Sequence, residues 1–108
     1  MEIREYIDRQ GRSTYANWFN GLNAQAAAKV VAALVRMAQG NVSNAEGVGE
    51  GIFEWRIDLG PGYRVYFGKD GDELIILLGG GTKKRQQNDI QNVRMVWKEY
   101  KERKRQEG

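Results

Sequence analysis

The run from Phe53 to Leu78, FEWRIDLGPGYRVYFGKDGDELIILL, constrains the fold more than any other stretch of the chain. Two turn signals, Gly60-Pro61-Gly62 and Lys69-Asp70-Gly71-Asp72, divide it into three short runs rich in aromatic and branched residues. That pattern predicts a three-stranded antiparallel meander over 52–78. In the first run Phe53, Trp55, Ile57 and Leu59 alternate with Glu54, Arg56 and Asp58, so one face is apolar and the other charged. In the second, Tyr63, Val65 and Phe67 alternate with Arg64 and Tyr66. The third, Leu74 to Leu78, is apolar throughout and reads as an inner strand covered on both faces. The expectation is a small twisted sheet with helices on one face, and with Arg56, Arg64 and Tyr66 looking out from the other face or its rim.

The remaining elements fit around that sheet. Glu2 to Asp8 reads as a short strand at the sheet edge, broken by Gln10-Gly11-Arg12. Ser13 stands where an N-cap belongs, and Tyr15, Trp18, Phe19 and Leu22 repeat at helical spacing. Asn23 caps a second helix, Ala24 to Gln39, rich in alanine and closed by Gly40. The short link makes residues 13–39 a helical hairpin, with its aromatics in the core. Asn41 to Gly51 reads as a flexible surface loop. Its alternating glycines lack the dinucleotide-binding spacing and lead into a strand. Asn88 or Asp89 is expected to cap a last helix through Ile90, Val93, Val96 or Trp97, and Tyr100, with fraying beyond Tyr100.

Composition narrows the chemistry. A chain of 108 residues makes one domain with a modest core. It has neither cysteine nor histidine, which removes disulfides, thiolate metal sites and the commonest general base. No cofactor is expected. The N-terminus has no apolar signal core and no run approaches spanning length, so the expected place is the cytoplasm, away from membranes. The net charge of +3 is uneven. Residues 83–105 hold nine basic side chains against three acids, a segment of +6 in a chain whose remainder is −3. Clustered positive charge is the footprint of a nucleic-acid or acidic partner, and equally of a solvated helical end.

No nucleophile–base pair stands out. Glu54 and Asp58 lie roughly 13 Å apart along one strand, wide for carboxylates acting on one bond, and read first as a surface charge ladder with Arg56. Gly79-Gly80-Gly81 followed by Lys83, Lys84 and Arg85 is no P-loop, but it offers free backbone N–H groups beside cations, which suits a phosphate. Arg56 and Arg64 on neighbouring strands, with Lys83, Lys84 and Arg85 after the third, form one cationic constellation. Tyr66 is placed to stack on a base or exchange a proton.

The order of strand, helical hairpin, meander and C-terminal helix resembles the RelE/HigB/ParE superfamily of bacterial toxins, most of all its addiction-module killer, or phage-derived HigB-like, branch. The likeness rests on Gly49-Glu50-Gly51 leading to Glu54-Trp55-Arg56-Ile57-Asp58, and on Gly60-Pro61-Gly62-Tyr63-Arg64-Val65-Tyr66-Phe67. It continues through Leu77-Leu78-Gly79-Gly80-Gly81-Thr82-Lys83-Lys84, then Gln86, Gln87, Asp89 and Ile90, and Trp97-Lys98-Glu99-Tyr100. The resemblance implies a RelE-like α+β domain and a toxin of a type II toxin–antitoxin system. It implies a ribosome-dependent messenger-RNA endoribonuclease that works by 2′-hydroxyl attack. Arg64 matches the family arginine that would hold the scissile phosphate. Lys83, Lys84 and Arg56 would complete the catalytic cations, with Arg85, Tyr66, Lys98 and Lys101 on RNA. The implied partners are a cognate antitoxin of helix-turn-helix type, the ribosome and messenger RNA. The alternatives are a ParE-like, non-enzymatic inhibitor of DNA gyrase and an inactive relative that only binds its antitoxin. The chain departs from RelE in its single Arg56 between two acids and in having no histidine near the C-terminal part of the site, which leaves the general acid and base open.

Overall fold

The computed structural model describes residues 1–108. The elements run β1 (Glu2–Glu5), α1 (Thr14–Asn20), α2 (Ala24–Ala38), β2 (Ala45–Gly49), β3 (Ile52–Ile57), β4 (Tyr63–Asp70), β5 (Leu74–Thr82), a 3₁₀ turn (Lys83–Arg85) and α3 (Gln86–Glu107). The fold is α+β, with one five-stranded sheet in the order β1-β5-β4-β3-β2.

The expected meander is present as β3, β4 and β5, each antiparallel to the next, with Trp55 opposite Val65 and Phe67 opposite Leu77. The sheet as a whole is mixed, because β1 joins β5 in parallel, from Glu2 beside Leu74 to Glu5 beside Leu77. The chain leaves β1, crosses the sheet as α1 and α2, and enters at the opposite edge. A crossover of that length makes a parallel neighbour possible where a hairpin would not. β1 is also shorter than residues 1–8, since the Asp8 carboxylate accepts N–H bonds from Gln10 and Arg12 and turns the chain.

Ser13 and Asn23 do cap the two helices, each accepting an N–H bond at 2.9 Å, from Ala16 and Ala26 respectively. Tyr15, Val30, Ala33 and Met37 pack onto Trp55, Ile57, Val65, Phe67, Ile75 and Leu77, closing one core on one face. The second face is not open. There α3 lays Ile90, Val93 and Trp97 over Ile52, Tyr66, Ile76 and Leu78, with Tyr6. Arg64 and Tyr66 therefore do not look out: Arg64 is 7% exposed and Tyr66 fully buried. The alternation placed them on the right face, but strand periodicity carries no information about a helix arriving from later in the chain.

Other expectations change for local reasons. The loop expected over Asn41–Gly51 contains β2, paired antiparallel to the outer edge of β3. Its only apolar side chains, Ala45 and Val48, are three apart and face opposite sides across a register shift between Gly47 and Gly49, so it shows no strand alternation. Its tight turn into β3 puts Gly49, Glu50 and Gly51 at positive φ, with Glu50 at 60°. The turn is tied down by α3, where Trp97 Nε1 donates to the Glu50 carbonyl at 3.1 Å and Arg94 to that of Val48 at 3.3 Å.

Gly79-Gly80-Gly81 does not leave the sheet. It forms the end of β5, opposite Tyr66, Val65 and Arg64. Its glycines admit close neighbours: a Cβ on Gly80 would lie 2.2 Å from the Trp18 ring, and one on Gly81 1.8 Å from Asp89 Oδ2. Gly68 makes the same room for Trp97. A bulge between Tyr66 and Phe67 shifts the register, and the Thr14 hydroxyl donates to the Leu78 carbonyl there at 2.5 Å.

The last helix begins at Gln86, after the Lys83–Arg85 turn, and has no capping bond from Asn88 or Asp89. It also continues past Tyr100 to Glu107. Polar anchors hold these final turns. Arg103 donates to the Ile7 carbonyl at 2.7 Å and to the Tyr6 hydroxyl at 3.2 Å, and Lys104 pairs with Asp70.

Candidate functional site

At the N-terminal end of α3 the second face is polar. The β3–β4 register sets Glu54 opposite Tyr66 and Arg56 opposite Arg64, so all four side chains share one face. The first turn of α3 descends on them. Gln86 Nε2 donates to Glu54 Oε2 at 2.8 Å, and Arg56 Nε to Glu54 Oε1 at 2.9 Å. Arg64 Nε stands 3.9 Å from Glu54 Oε2. Glu54 is fully buried, so the surface charge ladder expected of Glu54, Arg56 and Asp58 does not form; Asp58 alone of the two acids is exposed.

The electrostatics follow from that burial. Desolvation alone would push the Glu54 carboxyl up. The hydrogen bonds from Arg56 and Gln86, with the charge of Arg64, outweigh it and hold the carboxyl below its ordinary value. Burial pushes the Tyr66 phenol well above its ordinary value, and the neighbouring Glu54 charge adds to the shift. Burial likewise raises the Asp89 carboxyl, against the opposing pull of Arg85 and the Thr82 backbone. Three buried polar atoms here lack a hydrogen-bond partner: Arg64 Nε, Tyr66 Oη and Asp89 Oδ2. Unpartnered buried groups of this kind carry a desolvation cost and mark a place where a further polar group would be welcome.

The sequence-predicted cations divide between two places. Arg64 and Arg56 meet across the β3–β4 pair. Arg56 is half exposed and doubly paired, with Glu54 and with Glu46 at 3.2 Å. The 3₁₀ turn stands beside them: Lys83 N–H donates to the Gly62 carbonyl at 2.8 Å, one step beyond the Tyr63–Thr82 pair. Lys83, Lys84 and Arg85 are exposed, and none forms an ion pair. Tyr66 lies beneath this group with no exposed face for a base, which overturns its expected stacking role. Lys98 and Lys101 are elsewhere. Twelve residues separate Gln86 from Lys98, roughly 18 Å along a helix axis.

Gln86 is the residue that sequence reasoning left without a role, and Glu54 the one it placed at the surface; the contact between them spans 32 positions and leaves no local signal. No group of three or more carboxylates gathers anywhere in the fold to hold a metal ion. As a device, the arrangement is a cationic rim around a buried carboxylate that fixes two arginines in register.

Residues 17–101 match the family model described as "Phage derived protein Gp49-like (DUF891)". An uncharacterised protein of Haemophilus influenzae is 41% identical over 87 residues, which cover 80% of this chain and 88% of that protein.

Proposed function

Because the chain belongs to the Gp49-like phage-derived protein family, we propose that it is the toxin of a type II toxin–antitoxin pair and cuts messenger RNA on the ribosome. The resemblance of the chain's sequence to the RelE/HigB-like toxins supports the reading. The observation that most supports the reading is the meeting of Arg56 and Arg64 across β3 and β4, oriented by buried Glu54 and flanked by the free cations Lys83, Lys84 and Arg85.

In this reading the 2′-oxygen of the RNA attacks the adjacent phosphorus. The 5′-oxygen leaves and takes a proton from solvent water, and a 2′,3′-cyclic phosphate remains. Arg64 and the lysines of the turn stabilise charge on the phosphoryl oxygens. Glu54, held ionised, positions the two arginines. Asp89, half-buried with its Oδ2 unpartnered, is the carboxylate proposed to take the 2′-proton, whereas Tyr66 is fully buried and its raised pKa keeps it protonated. A cognate antitoxin of helix-turn-helix type is the proposed partner, together with the ribosome.

A second reading, a ParE-like protein that inhibits gyrase without cutting RNA, draws support from the burial of Arg64 and the double pairing of Arg56. Induction in a tightly repressed host, followed by mapping of messenger-RNA 5′ ends, separates the two. The nuclease reading expects new ends within translated frames, lost with Arg64→Ala. Growth arrest with intact messages and DNA-damage signalling would replace it with the gyrase reading.

A further inference from the structure

β1 lies at one edge of the sheet, with β5 on its inner side and nothing on its outer side. Glu2 N–H donates to the Glu73 carbonyl at 2.8 Å, and Tyr6 N–H to that of Leu77 at 3.0 Å. Backbone groups alternate along a strand, so those of Glu2, Arg4 and Tyr6 turn inward to β5. The amides and carbonyls of Ile3 and Glu5 turn outward, where no element of the chain meets them. β1 has neither a proline nor a bulge to blunt that edge. Beside it, on the face of the helical hairpin, lies a groove of about 560 Å³ lined by Ile3, Tyr15, Phe19, Val31, Leu34 and Val35. α2 carries two apolar stripes. Val30, Ala33 and Met37 belong to the chain's own core. Val31, Leu34, Val35 and Ala38, also at helical spacing, line the groove instead, and Val31 and Val35 are 49% and 51% exposed.

We propose that this edge and groove form the interface of a two-fold dimer, occupied by β1 and α2 of a second copy of the same chain. Antiparallel pairing joins outward-facing residues to outward-facing residues, so Ile3 of one copy can stand opposite Met1, Ile3 or Glu5 of the other. Opposite Met1, Glu2 would meet Glu2; opposite Glu5, Arg4 would meet Arg4. With Ile3 opposite Ile3, Glu2 of each copy meets Arg4 of the other. That register alone sets unlike charges in opposition, and the axis makes it do so twice. The exposed ion pair of Arg4 with Glu2 within one chain, at 2.6 Å, shows that the two side chains already share a face. An edge of one sign would repel its own copy. Unlike charges one position either side of Ile3 make this edge complementary to itself, which selects a second copy over an unrelated strand. Opposed residues share a face, so both helical hairpins lie on the same side of one continuous sheet, with the Val31 and Val35 stripes flanking the seam. β1 ends beside Leu77, whereas Arg64 stands opposite Gly81, so the pairing leaves the polar centre clear on both copies. The proposal is independent of the nuclease reading.

The test is sedimentation equilibrium of the purified full chain, from low-micromolar to near-millimolar concentration. The mass should rise with concentration to twice the 12.3 kDa of one chain. Arg4→Glu alone and Glu2→Arg alone each set like charges in opposition. Because the axis counts each change twice, either should weaken association by about tenfold or more. The double variant that exchanges the two charges should restore it, and so should mixing the two single variants. Val35→Lys should weaken association as well. All three positions are exposed, and thermal melts confirm that the variants fold. In the parent, amide exchange at Ile3 and Glu5 should slow as concentration rises, while that at Tyr6, already bonded to Leu77, stays unchanged. A chain monomeric throughout, a dimer indifferent to both single charge variants, or a double variant that stays dissociated would each overturn the proposal.

Discussion

Glu54 occupies the most demanding position of any single residue. It is a fully buried carboxylate, and removing it would leave Arg64 buried beside no opposite charge. Breaking such a pair from one side costs about 3–5 kcal/mol, so Glu54→Ala should lower stability by that order in urea titrations. Its carboxyl is depressed in the folded protein, so its contribution is complete above the ordinary carboxylate pKa and fades as pH falls through the lower folded value. The acid limb of a stability-against-pH curve should therefore flatten in Glu54→Gln. Alternation along the strand identified the face that Glu54 shares with Arg56. It could not show that Gln86 would cover that face, since the covering residue is supplied by a helix that had no reason, from its own periodicity, to lie there.

Among elements, the two helical layers are seated by missing side chains as much as by present ones. Trp18 of α1 presses on Gly80, and Trp97 of α3 on Gly68. Gly80→Ala would force the Trp18 ring out of its place and should cost about 1–3 kcal/mol, read as a lowered melting temperature. The helical hairpin and the meander were legible because each has a local code: a cap, an apolar period, a pair of turns. The glycine triplet was legible as special, but its use was not, because room for a tryptophan 62 positions away leaves no local trace. The final turns of α3 show the same limit. They lack apolar anchors and are held by Arg103 on β1's end and by the Lys104–Asp70–Tyr100 cluster. Asp70→Asn should speed amide exchange in residues beyond Tyr100 while leaving the first turns of α3 protected.

For the molecule as a whole, the 3₁₀ turn and α3 together carry the basic segment to one side of the sheet, while α1 and α2, whose only charged side chains are Lys29 and Arg36, cover the other. None of the helices is long and apolar enough to cross a membrane. The parallel pair of β1 with β5 has a consequence in time. Glu2 meets Leu74, a partner 72 positions later. At a synthesis rate of about 5–20 residues per second, β1 waits roughly 4–14 s before the strand beside it exists. Gln86 and Asp89, which complete the surroundings of Arg64, come later still. A nascent chain is therefore unable to assemble its polar centre until most of its length has been made, and any activity seated there starts only after that delay.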